Sequence, residues 1–458
     1  LSVTSEPTAG LVASPVIFDG PPVGPPLTEK LGRSPRADRR ADDTERQSSR
    51  SRARRFRSNP TFRGMNPSTD ASEATNGVER GLSFGGGAAE QAKKLGMRVI
   101  GTRMSGAPHP AVDEMHGPDD LHALLPRADF VILNTALTPE TRFLFGAPEL
   151  ARMKPGALLL SNSSAINTDI MAGMTTRPGN VAGAHFFAPA NVMKLFEVVV
   201  GSKTSVETIV RTMQVGRDIG KISALAGTCD GFAANRSRAP FQTEMMLMLE
   251  EGALPEQIDK VMVDFGYPIG PFAVSDLSGL DIGYDTRKRR AAENPNFRKL
   301  PVPDRLVEMG RKGQKSGAGW YRYEKGDRTP HPDEVVKSVI ADVARELGIE
   351  QRQFTDDEIL KRLLFASVNE TCKILEEGKC LRASDMDVMW LHGFGFPRYR
   401  GGLMFWADGI GVKEVYRQIE EWHQRYGARW KPAALLKELA ESGTSFREAK
   451  PKVPMFTV

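Results

Sequence analysis

MRVIGTRMSGAPHPAVDEMHGPDDLHALLPRADFVILN, residues 97–134, holds the pattern that decides the fold. A short apolar run at 97–101 gives way to polar text and a helical stretch, DDLHALLPR, before a second run at 129–134. The alternation continues on both sides. AAEQAKKLG precedes it; APELARMK, then ALLL at 157–160, and then VAGAHFF at 181–187 follow it. Brief apolar runs bounded by turn and helix signals read as strands buried on both faces. Strand–helix alternation therefore predicts an α/β, Rossmann-like, doubly wound parallel sheet over residues 77–228.

Upstream the text changes. Residues 1–76 are rich in Pro, Ser and Arg without apolar periodicity, and read as a disordered basic tail. Residues 30–57 alone carry eleven Lys and Arg against four acids. That surplus exceeds the net charge of +5, so the rest of the 458-residue chain is slightly negative. No nucleic-acid-binding face is expected on the folded body. The apolar runs fall far short of the ~20 residues a membrane span needs, so no span is expected. Cys229, Cys372 and Cys380 make neither a disulfide framework nor a zinc pattern, and no metal is expected. Cysteine usage and the lack of an export segment point to a cytoplasmic location.

Downstream of residue 229 the pattern is helical and repeats at an offset of 126 residues. Arg236, Glu244, Leu249, Glu250, Glu251, Gly252 and Asp259 recur as Arg362, Glu370, Leu375, Glu376, Glu377, Gly378 and Asp385. Each copy runs into a Gly/Pro turn, GYPIGPF at 266–272 and GFGFPRYRGG at 393–402. Two all-helical repeat modules are expected, at 229–325 and 350–450, with a linker and helix at 326–349. Such copies would pack on each other as an intramolecular pseudo-dimer.

An intact G-x-G-x-x-G is absent. GLSFGGGAAEQA at 81–92 stands in its place, and Gly81, Gly85 and Gly87 would let a pyrophosphate approach a helix N-terminus. A glycine cluster is equally an ordinary turn. The next strand ends in Thr102 and Arg103, with no acid for a ribose 2′-hydroxyl. An arginine there tolerates a 2′-phosphate, so NADP stands beside NAD as a cofactor.

One pair of residues stands out chemically. His185 follows the apolar VAGA, at a strand's carboxyl end, where α/β sheets place their ligands. Glu197 lies inside LFEVVV, where a carboxylate needs a partner to tolerate burial. A carboxylate on the imidazole would fix its orientation and suit a general base. A satisfied core histidine and a capped acid is the alternative.

Two resemblances extend this reading. Residues 92–160 resemble the NAD-binding domain of D-2-hydroxyacid dehydrogenases. That family's catalytic arginine is missing, since SNSSAIN stands at 161–167. From 161 to about 450 the chain resembles L-3-hydroxyacyl-CoA dehydrogenases of the multifunctional fatty-acid oxidation type. SNSSAINTDIMAGMTTRPGNVAGAHFFAPANVMKLFEVVV, CDGFAANR, GYPIGPFAVSDLSGLDI and GRKGQKSGAGWYRY carry it in order. The chain thus reads like a chimera joined at ALLLSN.

The second resemblance implies NAD-dependent oxidation of an L-3-hydroxyacyl-CoA thioester to the 3-oxoacyl-CoA in β-oxidation. It makes His185 the base, Glu197 its partner, Ser164 and Asn235 the substrate-oxygen anchors, and Lys315 a cofactor contact. Lys361 replaces Asn235 in the second copy, implying that this copy is structural. Ala188 stands where the family often has a polar residue after HFF. A catalytically inactive chimeric or interaction subunit, and a D-2-hydroxyacid dehydrogenase-like oxidoreductase, are the alternative readings.

Overall fold

Strands form where the apolar runs predict them. The computed structural model describes residues 16–19, 89–90, 92–93, 96–103, 106–133, 145–164, 166–294 and 297–455. The chain divides into two compact units, residues 1–20 with 83–458 and residues 21–82, and the described residues belong to the first.

Eight strands make one sheet: β1 (Val16–Asp19), β2 (Arg98–Thr102), β3 (Glu114–His116), β4 (Phe130–Leu133), β5 (Leu158–Ser161), β6 (Val181–Phe186), β7 (Leu195–Val200) and β8 (Ile222–Gly227). Their spatial order is β3-β2-β1-β4-β5-β6-β7-β8. The four runs read from the sequence supply β2, β4, β5 and β6, and all four point the same way. β5 pairs in register with β4 and β6, so ALLLSN continues the sheet without a break.

Three departures from an all-parallel sheet appear. β7 runs antiparallel to β6, because only residues 187–194 join them, too few for a parallel crossover. β8 returns parallel to β7 through helix α1 (Val206–Asp218), which Ser205 caps by accepting from Thr208 N–H. The third departure corrects the expectation for residues 1–76. Residues 16–19, assigned to a disordered tail, form β1 between β2 and β4, antiparallel to both. VIFD is a four-residue apolar-rich island inside a Pro-rich stretch, too short to register against its surroundings. The rest of residues 1–76 lies outside the described residues.

The helical part begins with α2 (Phe232–Glu250), α3 (Pro255–Phe265) and α4 (Pro271–Ser278). It continues, after α5 (Glu334–Leu347), with α6 (Asp356–Glu376), α7 (Ala383–Gly393), α8 (Leu403–Ile410) and α9 (Val412–Tyr426). The repeat-related helices α2 and α6 exchange partners reciprocally. Arg236 holds Glu370 at 2.8 Å and Glu377 at 2.6 Å, while Arg362 holds Glu244 at 2.5 Å and Glu251 at 2.8 Å. Each arginine thus reaches the acids whose counterparts serve the other.

The offset does not stay at 126. Asp259 accepts from the N–H groups of Phe272 and Ala273 at the start of α4. Its structural counterpart at the start of α8 is Asp387, which accepts from Met404 and Phe405. Asp385, the residue matched by a fixed offset, pairs with Arg382 instead. Two extra residues after the second LEEG shift the register. Among the described residues no helix is long and apolar enough to cross a membrane.

Candidate active site

β6 and β7 place the site. In their antiparallel register His185 lies directly opposite Glu197, and such partners share a face. With period two, Ala184, Phe186, Phe196 and Val198 enter the core on one side of the sheet. Phe187, Leu195 and Val199 enter the core that the helical modules build. His185 and Glu197 share this second face.

The contact follows. His185 Nδ1 lies 2.8 Å from Glu197 Oε2, with the His side chain 8% and the Glu side chain 0% exposed. To bond a carboxylate, Nδ1 carries the proton, which leaves Nε2 as the basic nitrogen of the neutral ring. Glu197 Oε1 accepts from Ala234 N–H at 2.9 Å. That amide belongs to the first turn of α2, whose N–H groups have no partner within the helix. The helix end therefore satisfies the buried acid, and its dipole favours the anion. Phe187 and Phe232 wall the imidazole, with ring centroids 4.7 Å and 5.5 Å away.

The other expected residues fall around this pair. Asn235 follows Ala234 on the same turn of α2 and lines a cavity of about 770 Å³. Ser164 sits half-buried in the loop that leaves β5, the strand beside β6. In that loop Asn162 Oδ1 accepts from Phe186 N–H at 2.9 Å, tying it to the end of β6. Lys315 lies elsewhere, in the first helical module, with its ammonium on Asp281 at 2.5 Å. Arg103 is half-buried just beyond the end of β2. Gly81, Gly85 and Gly87 lie outside the described residues.

Two contributors carry no sequence signal. One is the Ala234 amide, because any residue supplies an N–H. The other is Lys221, buried just before β8, whose ammonium bonds the carbonyl oxygens of Ala190 and Met193. It fastens the loop between His185 and Glu197. A lysine before a strand ordinarily reads as a surface charge.

The sheet fits a dinucleotide in part. β2, β4, β5 and β6 end on one edge, where doubly wound sheets seat such ligands. Residues 89–90 and 92–93 are helical and precede Gly96 and β2. β1 does not contribute its usual turn. Asp19 at its carboxyl end pairs with Arg98 at the amino end of β2, on the opposite edge.

Comparison with known proteins agrees with this architecture. A family model described as 3-hydroxyacyl-CoA dehydrogenase, NAD binding domain, matches residues 87–229. It runs across the stretch resembling D-2-hydroxyacid dehydrogenases and the ALLLSN junction alike. A second, 3-hydroxyacyl-CoA dehydrogenase, C-terminal domain, matches twice, at 231–323 and 359–453. The peroxisomal bifunctional enzyme of Danio rerio is 41% identical over 312 residues, covering 65% of this chain and 44% of that protein. The peroxisomal fatty acid beta-oxidation multifunctional protein of Arabidopsis thaliana is 37% identical over 309 residues, covering 65% and 42%. The chain spans less than half the length of these relatives.

Among solved structures, 3-hydroxybutyryl-CoA dehydrogenase from Escherichia coli shares the fold with a TM-score of 0.64 at 23% identity, covering 79% of this chain and 97% of that one. The dehydrogenase part of multifunctional enzyme 1 from C. elegans gives 0.51 at 27% identity, covering 71% and 74%.

The cytoplasmic expectation is corrected here, since the curated relatives are named peroxisomal or glyoxysomal. Cysteine usage does not distinguish among compartments whose proteins carry no disulfides. This chain belongs to the 3-hydroxyacyl-CoA dehydrogenase family of NAD-dependent oxidoreductases, with the NAD-binding domain followed by two copies of the C-terminal domain.

Proposed function

We propose that this chain oxidises an L-3-hydroxyacyl-CoA to the 3-oxoacyl-CoA with NAD, as the dehydrogenase portion of a peroxisomal β-oxidation multifunctional enzyme. The carrying observation is the His185–Glu197 pair, buried and anchored by the start of α2. His185 Nε2 takes the proton from the substrate's C3 hydroxyl. Glu197 holds Nδ1 and favours the imidazolium that forms. Asn235 and Ser164 hold the C3 oxygen, and Phe187 and Phe232 keep water from the ring. NAD, when bound, accepts the hydride leaving C3. It would lie along the ends of β2, β4, β5 and β6, with Arg103 near its ribose and Lys315 as a further contact. The two helical copies act as an internal pseudo-dimer, supported by the reciprocal Arg–Glu exchange between α2 and α6.

Reduction of acetoacetyl-CoA, followed by loss of nicotinamide absorbance with NADH and NADPH in parallel, tests the proposal. NADH-dependent turnover is expected, and a preference for NADPH would reassign the cofactor. A second reading, an inactive interaction subunit, draws on the antiparallel β1, which withholds the usual phosphate turn. No change in NADH fluorescence up to millimolar protein would favour it.

A further inference from the structure

One residue beside the catalytic pair is held against its own backbone preference. Among the described residues, Phe232 is the only non-glycine with a positive φ, at 50°. A bulky side chain is rare in that region, because its Cβ crowds the following carbonyl oxygen. Gly231 before it is also left-handed, at φ 74°, and a Cβ there would stand 3.2 Å from the backbone nitrogen of Arg236. Phe232 N–H closes the turn by donating to the Cys229 carbonyl oxygen at 3.0 Å. Glycine at 232 would make the same turn without cost. An outlier of this kind beside a site points to a use for the side chain it carries.

The ring is 1% exposed and meets the His185 imidazole edge to face, at 5.5 Å between centroids and 73° between planes. Such a pair fixes the mutual orientation of two rings. Two residues later the chain presents the Ala234 N–H to Glu197. An amide in the first turn is one that an N-cap side chain ordinarily bonds. Gly231 has no side chain to do so, and the carboxylate of β7 caps α2 in its place. A single turn therefore touches both partners of the His185–Glu197 hydrogen bond.

We propose that Phe232 is a positioning residue: its ring braces the imidazole while the left-handed turn it forms braces Glu197, so that Nε2 keeps its aim at the C3 oxygen. This rests on His185 being the base. Only a left-handed residue at 232 brings ring and amide to the pair from the same turn.

Acetoacetyl-CoA reduction and urea unfolding of substituted proteins, at matched circular dichroism, test this. Phe232→Leu keeps apolar bulk and should lower kcat about tenfold, with KM changed less than about twofold, the scale of a small misplacement at a reacting group. In the Glu197→Gln background the same substitution should change kcat less than about twofold, because both residues act through one imidazole. Phe232→Gly and Phe232→Ala both remove the ring. The Gly variant should be the more resistant to urea, since glycine adopts a positive φ freely. It should nevertheless turn over as slowly as the Ala variant, about a hundredfold below the natural chain. If Phe232→Leu does not fold, the Gly variant, free of the backbone strain, carries the comparison. Natural turnover in Phe232→Gly, an Ala variant more stable than the Gly one, a loss confined to KM, or a tenfold loss that persists beside Glu197→Gln overturns the proposal and leaves the dehydrogenase reading standing. A natural chain without turnover overturns that reading and this one with it.

Discussion

The smallest unit that matters here is a hydrogen-bonded chain of three groups: the His185 ring, the Glu197 carboxylate and the Ala234 amide. Exchanging Glu197 for Gln keeps the size and removes the charge. A Gln amide can donate to Nδ1, which would move the ring proton to Nε2 and leave no base facing substrate. We expect Glu197→Gln to lower kcat about a hundredfold or more, with KM for acetoacetyl-CoA changed little. A loss confined to KM would contradict a positioning role. Two of the three groups were readable in the sequence, because an ionisable residue inside an apolar strand must be partnered. The amide was not, and neither was Lys221, which bonds backbone oxygens that any residue would present.

Among the elements, register does the work that motif spacing cannot. Twelve residues separate His185 from Glu197, and only the antiparallel β6–β7 pairing puts them face to face. The repeat was readable as far as α2 and α6, because their arginines and acids recur at a fixed offset. The capping aspartates were misaligned, because two inserted residues move Asp387 into the role of Asp259.

Two tests belong at this scale. Arg362 is 0% exposed, and Arg236 20%, at the side chain. Arg362→Met removes the buried partner of Glu244, leaving it only the half-exposed Arg429, and should destabilise the protein by about 3 kcal/mol in urea. Arg236→Met should cost clearly less, and equal losses would contradict the account. The second test concerns pH. Burial pushes the carboxyls of Asp259 and Asp387 up to about 6. A raised pKa means that the folded state holds these protons more tightly than the unfolded chain, whose values sit near 3.8. Their stabilisation is full below that value and lost as pH rises through about 6. Acidifying from pH 7 to 5 should therefore raise Tm by about 1–3 °C. The doubly substituted Asp259→Asn, Asp387→Asn protein should lack that gain; an unchanged gain would refute the assignment.

For the molecule as a whole, the sequence announced the α/β-then-helical order clearly, since period and composition change near residue 229. It hid β1, a short apolar island among prolines, whose place in the sheet comes from long-range pairing alone. Ile17 pairs with Ile100 on one side and Val131 on the other. Proline there removes a ladder donor from an interior strand and should cost about 3 kcal/mol or more. All five tryptophans lie between residues 320 and 430, so their fluorescence reports the helical modules. Ile17→Pro should lower the far-ultraviolet melting transition more than the tryptophan one. Equal shifts would mean that β1 stabilises the whole molecule and not the sheet in particular.

One comparison bears on the core of this account: acetoacetyl-CoA-dependent oxidation of NADH by the natural chain and by His185→Gln, at matched circular dichroism. We expect measurable turnover in the first and a fall of at least about a thousandfold in the second, with the fold intact. Undiminished turnover in the substituted protein would show that the imidazole held by Glu197 is not the base.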